Sequence, residues 1–139
     1  MSFRDLPADW PRRPLSDPRL AADVLDLCVS DLARGQAGMC VLVLRHDLTL
    51  GQPFLIGGPV PHLERRSVVS TLMRGCTQSR PESAVVLGIV HPGAAVSDED
   101  RDLHQDAVQA CRDIGVLLLG AYLVTEQEVI RLPEPRRAA

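Results

Sequence analysis

The sequence predicts an α/β domain built in three layers, a mixed sheet flanked by about three helices. Three observations predict it. Short runs rich in Val, Leu and Ile alternate with segments whose apolar residues recur at helical spacing. The runs Met39–Leu44 and Ala84–Val90 are continuously apolar, as in strands covered on both faces. Finally, the chain has 139 residues, 45% of them hydrophobic, enough for one core and too few for two ordinary domains.

Taken in order, residues 1–15 carry Pro7, Pro11 and Pro14 among charged residues, which interrupts regular hydrogen bonding and predicts an arm on the surface or frayed from it. Trp10, the only Trp in the chain, is expected to dock on the body or on a second subunit. A single domain follows over 16–133. Ser16 or Asp17 caps a first helix with Pro18 in its first turn, and Leu20, Val24, Leu27, Cys28 and Leu32 mark its buried stripe until Gly35. Met39–Leu44 and a run ending at Phe54–Ile56, separated by His46–Asp47, predict a hairpin. Gly57, Gly58, Pro59 and Pro61 make a loop, and Val68, Val69, Leu72, Met73 and Cys76 give a second helix.

Ala84–Val90 then delivers His91 to a Pro-Gly loop, the placement expected of a site residue at the end of a buried strand. Ser97 caps a third helix with Leu103, Ala107, Ala110, Cys111 and Ile114 on its inner stripe and Gly115 as its stop. Val116–Thr125 and Glu128–Leu132 close the domain as strands, and 134–139 form a polar tail.

Composition excludes several functions. All fifteen basic residues are Arg, so Schiff-base lysines, a Walker-type lysine and Ser–Lys dyads are ruled out. A net charge of −3 and only 3% aromatic residues argue against nucleic acid as a partner, because neither a basic field nor stacking rings are present. The pairs Arg12–Arg13, Arg65–Arg66 and Arg136–Arg137 read as solvated surface. Cys28, Cys40, Cys76 and Cys111 lie in apolar patterns without a C-x-x-C pair, which predicts buried thiols. No apolar run has the length of a membrane span and no signal-like segment opens the chain, so the expected location is the cytoplasm.

From about Met39 to Leu132 the order of elements and several strings resemble the JAB/JAMM domain of RadC-type proteins. The hairpin start Val41-Leu-Val-Leu-Arg-His-Asp-Leu-Thr-Leu is similar to that family's opening strand and turn. Ala84-Val-Val-Leu-Gly-Ile-Val-His-Pro-Gly resembles the strand that runs into its His-x-His-Pro-x-Gly. Ser97-Asp-Glu-Asp100 resembles its Ser-x-x-Asp, and Ile114-Gly-Val-Leu-Leu-Leu-Gly-Ala-Tyr-Leu-Val its following helix end and strand. The resemblance implies a JAB/deaminase-like sheet. In the family the His pair and the Asp hold zinc, the Ser stabilises an oxyanion, and an upstream Glu activates the metal-bound water. Carried over position by position, the second His is His91, the Ser is Ser97 and the Asp is Asp100. Ile89 stands where the first His belongs, no acid lies between Gly38 and Leu44, and the loop from His91 to Ser97 is shorter than the family's.

A catalytic zinc needs about three protein ligands and an open position. His104, four residues after Asp100 on one helical face, is the candidate third ligand beside His91 and Asp100. Each survivor also has a plain structural reading. Ser97-x-x-Asp100 has capping-box spacing, and Asp98, Glu99 and Asp100 suit a helix N-terminus, together worth about 1 kcal/mol. His91 suits a histidine hydrogen-bonded at a strand end. His46, His62 and Glu64 read as turn or helix-start residues and Tyr122 as packing, while Ser67, Ser70, Ser79 and Ser83 lack a nucleophile elbow.

The leading expectation is therefore a JAB-like domain without catalysis or cofactor that binds a protein partner or itself as a homodimer. An alternative is a zinc-dependent peptidase or isopeptidase using His91, Asp100 and His104, with Ser97 assisting. Another is a small-ligand sensor at the end of the Val85–Val90 strand, disfavoured for anions by the three acids at 98–100.

Overall fold

A computed structural model describes residues 3–60, 62–78 and 84–135. Part of the tail, including Arg136–Arg137, as well as Ser79 and Ser83, lies outside the described residues.

The core of the molecule is a five-stranded sheet in the order β2-β1-β3-β4-β5. Its strands are β1 (Gly38–Leu44), β2 (Leu50–Gly57), β3 (Ala84–Val90), β4 (Leu117–Val124) and β5 (Val129–Arg131). β1 runs antiparallel to β2 and β3, β3 and β4 are parallel, and β5 returns antiparallel on β4, so the sheet is mixed. The parallel pair requires a crossover, which α4 (Asp98–Ile114) supplies.

The period-two geometry of the strands explains why their runs are continuously apolar. Met39, Val41 and Val43 of β1, with Val85, Leu87 and Ile89 of β3, point to one face and pack with Val69, Met73, Leu103 and Ala107 of α3 (Arg65–Thr77) and α4. The alternate residues Cys40, Leu42, Leu44, Val86 and Val90 point to the other, under Leu20, Ala21, Val24 and Leu25 of α1 (Pro18–Cys28). Two cores on opposite faces of one sheet make the three-layer α/β/α arrangement. Gly88 sits where α1 crosses β3. A Cβ there would lie 3.0 Å from the Leu25 side chain, so its absence lets the helix close on the strand.

The arm packs on the α1 layer. It forms two 3-10 turns, Phe3–Asp5 and Trp10–Arg12, with Leu6 and Trp10 against the second core and Leu15 fully buried. Phe3 N–H donates to Asp26 of α1 at 2.7 Å, and Leu15 N–H to the Leu48 carbonyl at 2.8 Å.

The first helix departs from the sequence expectation. Asp17 caps it, but α1 ends at Cys28, and Ser30 caps a separate short helix α2 (Asp31–Arg34) that reaches Gly35. Leu32, expected on the buried stripe, is 80% exposed as a result. The break is held by Arg34, which is 5% exposed. Its guanidinium donates to the Asp26 carboxylate at 2.7 Å and to the carbonyls of Asp26, Val29 and Thr125 at 2.8, 3.2 and 3.3 Å. It thereby satisfies orphan carbonyls at the end of α1 and ties them to the turn after β4. α4, by contrast, starts and stops where expected. Ser97 and Asp100 form a reciprocal capping box, and Gly115 ends the helix in the left-handed region at φ +74°.

Candidate functional site

β3 is buried along its whole length, so the chain leaves the sheet at His91 and crosses a short loop to Ser97. The capping box that starts α4 fixes Asp100 as well: Ser97 Oγ accepts from Asp100 N–H at 3.2 Å, and Asp100 Oδ2 accepts from Ser97 N–H at 2.9 Å. Helix start and strand end are then joined by a side-chain pair. His91 Nε2 lies 2.8 Å from Oδ2 and 3.0 Å from Oδ1 of Asp100, while Nδ1 lies 2.9 Å from the Pro92 carbonyl.

Both ring nitrogens of His91 thus face oxygen acceptors, and only the doubly protonated ring donates to both. Its side chain is 24% exposed and that of Asp100 5%. Burial opposes the charged ring, but hydrogen bonds to Asp100 and the Pro92 carbonyl, with the charges of Asp100 and Glu99, outweigh it and raise the His91 pKa above its ordinary value.

The pair lines a cavity of about 410 Å3 between the end of β3, the start of β1 and the starts of α3 and α4. Val60, Ile89 and Leu103 supply apolar wall; Arg65, Ser97 and Glu99 supply polar groups. Arg65 was expected to be solvated with Arg66. Instead its side chain is 17% exposed and donates through Nε to Asp106 of α4 at 2.7 Å, with Asp102 at 3.8 Å. Arg66 remains solvated. The signal for Arg65 was legible, because positions 65, 69 and 73 share a helical face and the latter two are buried. No local pattern pointed to Arg34, whose acceptors lie on α1, in the link to α2 and after β4.

The other candidate residues sit apart. His104 is buried on α4 and does not line the cavity. Burial lowers its pKa, with the charge of Glu134 offsetting part of that effect. Ile89 packs in the core beneath α3 and α4. Among the described residues, no group of three or more His, Cys, Asp or Glu is placed to hold a metal ion. The donor set that the resemblance implies for zinc does not fit: both oxygens of Asp100 and both nitrogens of His91 are engaged with each other, the cap and the loop. Ser97 Oγ bonds the Asp100 amide in the cap, and no bond joins it to His91.

His46 lies in the hairpin turn, and Leu63 and Glu64 lie in the 3-10 turn His62–Glu64 before α3. The side chain of His62 lies outside the described residues. Tyr122 is buried, its hydroxyl donating to the Pro18 carbonyl at 3.4 Å. The four thiols are free; Cys40 and Cys111 are buried, which pushes them up to about 12 and about 11, the former also through Cys28 and Cys76. No helix among the described residues is long and apolar enough to cross a membrane. Compared with known proteins, the chain matches no family model and no curated sequence.

Proposed function

We propose that the chain is a RadC-like JAB domain that does not hydrolyse and acts by protein contact, with a second copy of itself as the first partner to test. The closed His91–Asp100 pair carries the reading. A hydrolytic site must keep ligands or a base available to water or substrate. Here both imidazole nitrogens face oxygen atoms of the loop and of Asp100, and the carboxylate is engaged by the ring and the helix cap. In place of a divalent ion bridging strand end and helix start, a hydrogen bond between His91 and Asp100 joins them.

The contrast between the two sheet edges supports the contact half of the reading. On β2 the edge is blunted by Pro53, which lacks an amide N–H, and by an irregular register near Leu44. β4 is less protected. β5 pairs only with Tyr122–Val124, and no described strand covers the outer edge of Leu117–Gly120, where Leu117 is 60% exposed. An apolar edge of this kind accepts another strand through its free backbone groups.

The test joins zinc titration, followed by melting temperature and bound metal, to light scattering across a concentration series. The expected result is no zinc-dependent shift and a concentration-dependent dimer. Stoichiometric zinc that raises the melting temperature would overturn the non-hydrolytic half, and a strict monomer that captures no protein would overturn the other.

A further inference from the structure

The edge of β4 offers its backbone to a strand of any sequence, whereas a second surface carries side chains that select their occupant. α3 connects β2 to β3 and α4 connects β3 to β4, and in each case the two strands are parallel. Both helices therefore run back against the strands, side by side and in the same direction, over one face of the sheet. Their outer sides enclose a groove of about 580 Å3.

The ionisable residues of this groove are sorted by helix. Arg66 and Arg74 line it from α3, and Asp106 and Asp113 line it from α4. At its head the charges are met within the chain: Asp106 accepts from Arg65 at 2.7 Å and lies 3.8 Å from Arg66. At its foot they are not. Arg74 is exposed and forms no ion pair among the described residues, and Asp113 is exposed with a hydrogen bond from Gln109. Ser67, Ser70 and Thr71 of α3 and Ala110 of α4 are the short residues of the lining, which lets another helix approach closely.

A two-fold axis can lay this face on a copy of itself in two limiting directions. An axis across the helices sets α3 on α3 and α4 on α4, with Arg beside Arg and Asp beside Asp. An axis along the groove sets α3 of each copy on α4 of the other at the same height, so that opposite charges meet. Arg66 and Arg74 are eight residues apart and Asp106 and Asp113 seven, about 12 Å and about 10.5 Å along parallel helices, so a fit at one end is nearly a fit at the other.

We infer that the groove between α3 and α4 is the docking surface for a second copy of this chain, with the axis along the groove and Arg74 of each copy paired with the partner's Asp113. The inference rests on the reading that the chain contacts a copy of itself, and it names the surface. The same axis brings both Leu63 side chains, 95% exposed at the groove, to one end of the contact, where they leave water together. Helices of 13 and 17 residues make a face about 20–25 Å long, the size of a transient rather than an obligate interface, so association is expected in the micromolar range.

Sedimentation velocity of the full chain over a concentration series, at about 50 mM and about 500 mM salt, tests it. The native protein is expected to dimerise, more weakly at the higher salt. Arg74→Asp and Asp113→Arg each exchange two ion pairs for two like-charge contacts, and each is expected to weaken dimerisation at least about tenfold with the circular dichroism spectrum retained. An equimolar mixture of the two variants is expected to associate again, because one then carries two acidic walls at the foot of the groove and the other two basic ones. Dimerisation that survives both single substitutions, as it would through the β4 edge, overturns the inference and leaves the second-copy reading standing. A mixture that stays dissociated also overturns it. A native chain that is monomeric throughout overturns the inference together with the second copy as partner.

Discussion

Replacing His91 with Gln tests whether a proton has taken the bridging role between strand end and helix start. Gln retains a neutral amide donor for Asp100 but no charge, so the difference between the two proteins isolates the imidazolium. The Asp100 side chain is 5% exposed and the ring meets it at 2.8 Å, with a second bond of 2.9 Å to the Pro92 carbonyl. A hydrogen bond to a charged group contributes about 1.5–3 kcal/mol, and the 24% exposure of His91 places this pair toward the lower end, about 1–2 kcal/mol.

The sign follows from linkage. The folded His91 pKa is raised, so the native state holds more protons than the unfolded chain as pH climbs past the ordinary histidine value. Its contribution is complete below the unfolded pKa and is lost as pH rises through the folded one. Urea unfolding of both proteins at about pH 5.5 and about pH 8.5 brackets that window. The native protein should exceed His91→Gln by about 1–2 kcal/mol at the lower pH and by much less at the higher. A gap that stays constant, or widens with rising pH, refutes the imidazolium bridge.

Two further outcomes are expected. Arg34→Met strands the buried partners of the guanidinium, three carbonyls and the Asp26 carboxylate, and should cost about 3–5 kcal/mol in denaturant unfolding; a cost near zero would mean that water or a shifted loop replaces them. His104 should act with the opposite sign from His91. Its folded pKa is lowered, so its contribution is present above the unfolded value and lost as pH falls, and His104→Gln should flatten the acid limb of a stability–pH curve measured by urea unfolding; an acid limb unchanged by the substitution would refute this.

The resemblance singled out His91, Ser97 and Asp100, and the structure brings all three to one strand end and helix start. Spacing alone also forecast the capping box, because Ser and Asp three residues apart satisfy each other's amides within a single turn. His104 was proposed on spacing as well, but four residues along a helix bring side chains to neighbouring rows without making them converge on one point. Asp100 faces the cavity, and His104 lies buried off its lining.

The layers were legible in local patterns: continuous Val and Leu runs for covered strands, helical stripes for the flanking elements, and Ser97 and Gly115 as the ends of α4. Those are local properties, set by periods of two and 3.6 and by the amides and carbonyls left over at helix ends. The break of the first helix at Val29, the choice of Asp106 as the partner of Arg65, and the oxygen atom facing each ring nitrogen of His91 came from the packing of the layers. Each depends on partners far apart in the chain, such as Arg34 with the Thr125 carbonyl, 91 residues away, or Arg65 with Asp106, 41 away. A polar side chain carries no periodic mark of the partner that it will meet, because that partner is selected by how the layers pack.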